Sequence, residues 1–218
     1  MKNVATRLAS SSGRRDEAPN IALATEIAAS NNKEAVSGLF DLLRHKDKAI
    51  QNDSIKVIYE IGERNPRLIA GFTAELVSLL HHKNNRLQWG AMTALDALTN
   101  EQPDMMHAAL PHIIAAADKG SVITHDHCVN ILIKLCAVRK YADTAYTLLN
   151  ERLKTGAPNQ LPMYAEKALP ALPDKHRPAF AATLTARLDD MEKESKRLRL
   201  EKVIRKINTS GRQKSPGK

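Results

Sequence analysis

LLHHKNNRLQWGAMTALDALTN, residues 79–100, decides the fold. It holds the end of an apolar helix, a short polar and basic turn, and an Ala/Leu-rich amphipathic helix carrying Trp89, the single tryptophan of the chain. Displaced by 37 residues, that second helix meets copies of itself. Ile50, Leu87, Thr124 and Leu161 stand in one column, and four residues on stand Ser54, Ala91, Cys128 and Ala165. Val57, Ala94, Ile131 and Ala168 follow, then Ile58, Leu95, Leu132 and Leu169, then Ile61, Leu98, Leu135 and Leu172. The offsets 0, 4, 7, 8 and 11 lie on one face of an α-helix, spread over about 100°.

The preceding helix repeats as well, through Leu42, Leu79, Ala116 and Leu153, with Leu39, Leu76 and Ile113 one turn earlier. Pro66 and Pro103, also 37 apart, punctuate the junctions between copies. A degenerate last copy has Leu188, Leu200, Val203, Ile204 and Ile207. Before the first full copy, PNIALATEIAASN (residues 19–31) reads as a lone amphipathic helix with Ile21, Ala24, Ile27 and Ala28 inward, a cap on the N-terminal end. A single such pair cannot bury its apolar face, so neighbours must stack.

LVSLLHHKNNRLQWGAMTALDALTN (residues 76–100) and LFDLLRHKDKAIQNDSIKVIYEIGE (residues 39–63) resemble HEAT repeats, with the armadillo-like group as near relatives. The resemblance spans roughly residues 33–208. It implies an all-α, right-handed α-α superhelix, a HEAT-like solenoid of about five helix pairs plus an N-terminal capping helix. The expected organisation is a flexible N-terminus (1–18), one helical repeat domain (19–207) and a disordered basic tail (208–218). Repeats are expected at 33–66, 67–103, 104–140, 141–177 and 178–207. The family's inter-repeat Asp–Arg ladder has no counterpart, because its Val-Arg pair is replaced by Ile50-Gln51 and Leu87-Gln88, and Asp47 is matched by Asn84. Any ladder here must be built from neutral hydrogen bonds.

Composition agrees with packed helices. Aromatics are only 4% of the chain, so the core must be Leu, Ile, Val and Ala. No apolar run approaches the roughly 20 residues that span a bilayer, and the first twenty residues lack the apolar core of a secretory signal. Cys128 and Cys136 are eight apart on one helix, about 12 Å, too far for a disulfide. Two free thiols fit a reducing compartment, and the expected location is cytoplasmic. The net charge is +9, and residues 187–218 carry eleven Lys/Arg against five Asp/Glu, a balance of +6. An anionic partner would be sought mostly there.

Three surfaces are candidates for binding. In a HEAT-like arc the inner helices line the concave side, and positions opposite the apolar columns face solvent. Those rows contain Asn52, Trp89, Asp126 and Met163; Lys56, Thr93, Asn130 and Lys167; and Tyr59, Asp96, Ile133 and Pro170. A Trp among polar neighbours is what a protein-binding hot spot presents, though the same side chain could instead fold over a neighbouring helix. The second candidate is a basic rim of turn residues: Arg44, His45, Lys46, His81, His82, Lys83, Lys119 and Lys154. The third is the basic last helix, with Lys196, Arg197, Arg199, Lys202, Arg205 and Lys206, which could neutralise nucleic-acid phosphate.

Chemistry is harder to find. His125, His127 and Cys128 have ligand-type side chains, but i and i+2 on a helix point about 200° apart, so no metal site is expected. No glycine-rich phosphate loop or serine elbow occurs, and no cofactor is expected. Certain alkylpurine DNA glycosylases are similar HEAT-like solenoids with concave Trp, Asp and Arg. Here Trp89 and Asp126 share a row, but no Arg falls in those rows. The expected function is therefore a non-enzymatic protein- or peptide-binding scaffold, with nucleic-acid binding as the alternative.

Overall fold

The computed structural model describes residues 4–14 and 16–212, the last three by backbone alone. Eleven α-helices and no strand occur among the described residues: α1 (Ala18–Ser30), α2 (Lys33–Leu42), α3 (Lys48–Arg64), α4 (Thr73–Leu79), α5 (Asn85–Leu98), α6 (Pro103–Lys119), α7 (Val122–Cys136), α8 (Ala142–Thr155), α9 (Leu161–Ala168), α10 (Arg177–Ala186) and α11 (Glu194–Arg212). The fold is an all-α solenoid of helix pairs behind a leading single helix. The chain divides into two compact units, 1–128 and 129–218, with the division falling inside α7. The sequence pattern alone suggests one continuous repeat domain; in a stack held by neighbour contacts, no global core prevents such a division.

In the first unit α3 packs between α1 and α5, and α2 and α4 lie against α3 and α5 as their partners. Local sequence sets the helix starts. Asn32, Asp47 and Asn84 cap α2, α3 and α5, each side chain accepting a backbone N–H of the first turn. The 37-residue columns form the core. Ser54, Val57, Ile58, Ile61, Ala91, Ala94, Leu95 and Leu98 are fully buried, as are Leu39 and Leu76 of the partner helices. Ile50, Leu42 and Leu79 are only half-buried; Leu43 and Leu80, one residue on, are buried in their helices' stead. α3 and α5 approach closely at Gly90, where a Cβ would stand 2.6 Å from Cγ1 of Ile55.

The neutral ladder exists between the first two pairs. Asn84 Nδ2 donates to Gln51 Oε1 at 3.2 Å and to Asn52 Oδ1 at 2.9 Å. Gln51 and Gln88 each reach back to a carbonyl of the preceding turn, His45 O and Leu80 O, both at 2.8 Å.

The N-terminus differs from the expected flexible segment. Val4–Arg7 and Ser10–Ser12 are short 3-10 turns, and Leu8 and Ala9 between them are buried. Asp53 of α3 accepts from Ser10 N and Asn20 Nδ2, both at 2.7 Å, and Asn20 Oδ1 accepts from Ala9 N at 3.0 Å. With Asn20 held inward by these bonds, the buried face of α1 is Asn20, Leu23, Ala24 and Ile27, and Ile21, expected inward, is exposed.

In the second unit α11 packs on α9 and α10, and α10 on α8. Ala165, Ala168, Leu149 and Leu200 are fully buried, whereas Leu169, Leu188 and Ile204 are partly exposed. Helix α11 continues through residues 208–212, where a disordered tail is expected from composition; residues 213–218 lie outside the described ones.

Candidate functional site

The inner face of the first unit is built by two helices that carry the same motif. Lys56 and Tyr59 on α3, and Arg86 and Trp89 on α5, are cation–aromatic pairs at i, i+3. Lys56 Nζ lies 4.8 Å from the Tyr59 ring centre, and Arg86 Cζ lies 4.5 Å from that of Trp89. The two rings are 5.7 Å apart and tilted by 45°. Trp89 is half-buried: Arg86 covers it and Tyr59 flanks it, so it is neither free in solvent nor wholly absorbed into the core.

Carboxylates complete the cluster. Lys56 Nζ bonds Glu60 Oε1 at 2.7 Å and Glu17 Oε2 at 2.9 Å. The other Glu17 oxygen is bonded by Arg86, and Glu60 is also bonded by Arg64. Burial raises the Glu60 carboxyl, but hydrogen bonds from Lys56 and Arg64 outweigh it and hold the group below its usual range. Burial likewise opposes the charge on Lys56, and its bonds to Glu60, Tyr59 and Glu17 restore it, leaving the ammonium above its usual range. Tyr59 is pushed up, chiefly by burial.

This arrangement corrects the concave rows. Lys56, Tyr59, Thr93 and Asp96 are buried, where the wheel places them in solvent. The wheel treats each helix alone; here α3 lies between α1 and α5, and those neighbours take up its flanks. Thr93 Oγ1 donates to Trp89 O at 2.9 Å, and Asp96 Oδ2 pairs with His127 Nδ1 at 2.7 Å. Asn52 is engaged by Asn84, and Asp126 is half-buried. In the second unit Lys167 donates to Asn130 Oδ1 at 3.2 Å, Ile133 is buried, Met163 is half-buried and Pro170 is exposed. The rows contain no Arg, yet Arg86 reaches the face from the first turn of α5. Sequence reasoning also missed Glu17, Glu60 and Arg64. The paired spacings Lys56-x-x-Tyr59 and Arg86-x-x-Trp89 were the available signal.

The rim is less basic than its composition. His45 Nδ1 and His82 Nδ1 accept the backbone N–H of Asp47 and Asn84, both at 3.0 Å, so these imidazoles fasten the turns. Arg44 pairs with Glu75 at 2.6 Å, His81 with His112 at 3.0 Å, and Lys154 with Glu151 at 2.8 Å. Lys46, Lys83 and Lys119 are exposed. On α11, Arg199 makes a two-pronged bond to Glu166, at 2.9 and 2.6 Å, Arg197 lies 3.3 Å from Glu201, and Lys196 Nζ donates to Asn159 Oδ1 at 2.5 Å. The Arg199 bond is the main reason Glu166 sits below the carboxylate range, with Lys202 and Lys206 adding to it. Lys202, Arg205 and Lys206 are exposed. Among the described residues no group of three His, Cys, Asp or Glu is placed to hold a metal ion, and no helix is long and apolar enough to cross a membrane.

Stacked helix pairs presenting a cation–aromatic face define the chain as a helical-repeat protein of the HEAT/armadillo-like fold. No family model and no curated protein matches the sequence. Among solved structures it is similar to an engineered protein (TM-score 0.63, 16% identity, 95% of this chain and 96% of the other) and to a designed armadillo repeat protein in complex with the peptide (KR)4 (TM-score 0.63, 16% identity, 84% of each chain). It is also similar to computationally designed armadillo repeat proteins for modular peptide recognition (TM-score 0.61, 16% identity, 87% of this chain and 91% of the other). At these identities the likeness is one of fold.

Proposed function

We propose that the chain is a non-enzymatic binding scaffold whose first unit holds an extended peptide segment of a partner protein against α3 and α5, anchored on Trp89. The observation that carries this reading is the half-buried Trp89, held between Arg86 and Tyr59 on two packed inner helices. A pre-positioned aromatic loses little conformational entropy when a partner covers it, which is why such residues anchor interfaces. The designed armadillo repeat proteins of similar fold, described as built for peptide recognition, support the same use of this scaffold. Nucleic acid is the weaker alternative, since Arg44, Arg197 and Arg199 are committed to carboxylates and the sequence after Phe180, which includes the basic last helix, contains no aromatic residue to stack on a base.

Panning a displayed peptide library on the full chain, then titrating selected peptides against the fluorescence of Trp89, tests the proposal. Trp89→Ala should weaken the selected peptides at least about tenfold, the loss of one hot-spot side chain. Equal affinity for wild type and Trp89→Ala, measured by calorimetry, would place the binding elsewhere.

A further inference from the structure

The carboxylate between Lys56 and Arg86 does not come from the repeats. Glu17 stands at the N-cap of α1, yet its side chain makes no capping bond to its own helix. The neighbouring Asp16 does that work, its Oδ1 accepting Ala18 N at 3.0 Å. Glu17 instead crosses to α3 and α5, one oxygen on Lys56 Nζ and the other on Arg86. The surrounding residues 11–14 and 16–18 are exposed, so the chain here is a surface strap carrying one charged contact inward.

Without Glu17, the cluster of Lys56, Arg64, Arg86 and Glu60 is left with surplus positive charge, with Lys56 over the Tyr59 ring and Arg86 over that of Trp89. Lys56 and Arg64 keep Glu60, but Arg86 has no other carboxylate among the described residues. Its Nε is buried without a hydrogen-bond partner among them. Arg86 also sits in the first turn of α5, at the positive end of its own helix dipole, where an anion lowers the energy and a second cation raises it. The four groups, two cations and two ring faces, match a side chain that combines a carboxylate with an aliphatic stem.

We infer that the Lys56–Arg86 pair, framed by Tyr59 and Trp89, is a carboxylate subsite for an acidic segment of a partner protein, which Glu17 occupies as a tethered substitute in the free chain. This rests on the peptide-binding reading above and names the partner's chemistry. An incoming glutamate or aspartate side chain displaces Glu17 and makes the same two bonds. The strap thus lowers apparent affinity by the fraction of time it is closed.

A fluorescein-labelled octaglutamate peptide and the basic (KR)4 peptide are titrated into wild type, Glu17→Gln, Arg86→Gln and Trp89→Ala, with thermal melts confirming folding. Glu17→Gln is the decisive variant, because that residue lies at the surface outside the core. It should bind octaglutamate roughly five- to tenfold more tightly than wild type, the gain expected when an internal competitor is removed. Arg86→Gln should lose that gain, and (KR)4 should bind none of the proteins better after the Glu17 change. Library-selected peptides that depend on Trp89, together with octaglutamate affinity unmoved by Glu17→Gln, would overturn the carboxylate subsite and leave the peptide-binding reading standing. Octaglutamate binding that survives both Arg86→Gln and Trp89→Ala would overturn the location. A single-stranded oligonucleotide that outcompetes octaglutamate on Glu17→Gln would overturn the partner class. Absence of any Trp89-dependent peptide would overturn both readings together.

Discussion

Gly90 and Gly62 are both helical glycines of the inner layer, and alanine at the two positions should have opposite effects. In each case alanine gains about 1 kcal/mol of helix propensity. At Gly90 the new Cβ would lie 2.6 Å from Cγ1, 3.3 Å from Cγ2 and 3.5 Å from Cβ of Ile55. Those atoms branch at or next to the Ile55 backbone, and Ile55 is fully buried, so rotation cannot clear them and α3 must move from α5. Overpacking of this kind costs about 1–3 kcal/mol, enough to cancel the propensity gain and leave a net loss of up to about 2 kcal/mol. At Gly62 the close atom is Cδ1 of Ile69, again at 2.6 Å; Ile69 is fully buried as well, but this atom is the terminal methyl, which moves by a turn about its last bond without shifting the branch carbons or the backbone. The next atom, Cβ of Ala97 at 3.5 Å, is in ordinary contact. Gly62→Ala should therefore be neutral or stabilising by up to about 1 kcal/mol. Urea unfolding followed by Trp89 fluorescence reads both, because Trp89 adjoins Gly90 and is the only tryptophan. At about 2–4 °C per kcal/mol for a chain of this size, the two variants should melt several degrees apart. Ile55→Ala should cost about 2–5 kcal/mol alone, and less than that sum when combined with Gly90→Ala, whose methyl enters the space vacated. Strict additivity, or a Gly90→Ala protein as stable as Gly62→Ala, would refute the close approach of α3 and α5.

Other perturbations test separate parts of the account. Glu60 is held below its ordinary value of 4.5 in the folded protein, so its contribution to stability is present above that pH and is lost as pH falls through the folded value. The stability gap between wild type and Glu60→Gln, from urea midpoints, should thus narrow between pH 6 and pH 3; a gap constant over that range would contradict the ion-pair assignment. Burial pushes the Cys136 thiol up to about 12, and Cys128 is fully buried. A thiol reagent at pH 8 should therefore label neither cysteine in the native protein and both in urea; rapid native labelling would mean that α7 opens. Leu8→Ala should destabilise by about 2 kcal/mol or more if the N-terminal turns pack as described, measured again by Trp89 fluorescence. A change under about 0.5 kcal/mol would return that segment to the flexible state its composition suggests.

The helical layout was legible in the sequence because burial repeats. Serine, alanine and cysteine share one column at Ser54, Ala91, Cys128 and Ala165, 37 residues apart, and all four are fully buried. A period is robust to such exchanges, because the constraint is volume and polarity at a helical offset. What failed to show was whatever breaks the period. The strap residue Glu17 lies outside the repeats, and no offset links it to Lys56 or Arg86. His45 and His82 looked like surface charge, since the backbone N–H groups they accept leave no trace in residue type. The wheel also misjudged Lys56 and Asp96, since it cannot represent helices on both flanks.

The same geometry bears on why this face is charged at all. A buried Lys56–Glu60 pair is weak evidence of stabilisation, because desolvation offsets much of its attraction and apolar residues of equal volume pack as well. Removing only one member, however, strands the other, which makes the cluster costly to alter piecemeal. Arg64 and Arg86 sit at its exposed edge, about one-third accessible, and Glu17 is more exposed still. Accessibility thus rises outward from Glu60 to Arg86 to Glu17, so the group bound most superficially is the one that covers both cations. A cluster meant only to fasten α3 to α5 would place its bridging carboxylate at the buried end. Here the bridge lies at the surface, on a strap outside the repeat, where exchange for another carboxylate disturbs neither inner helix.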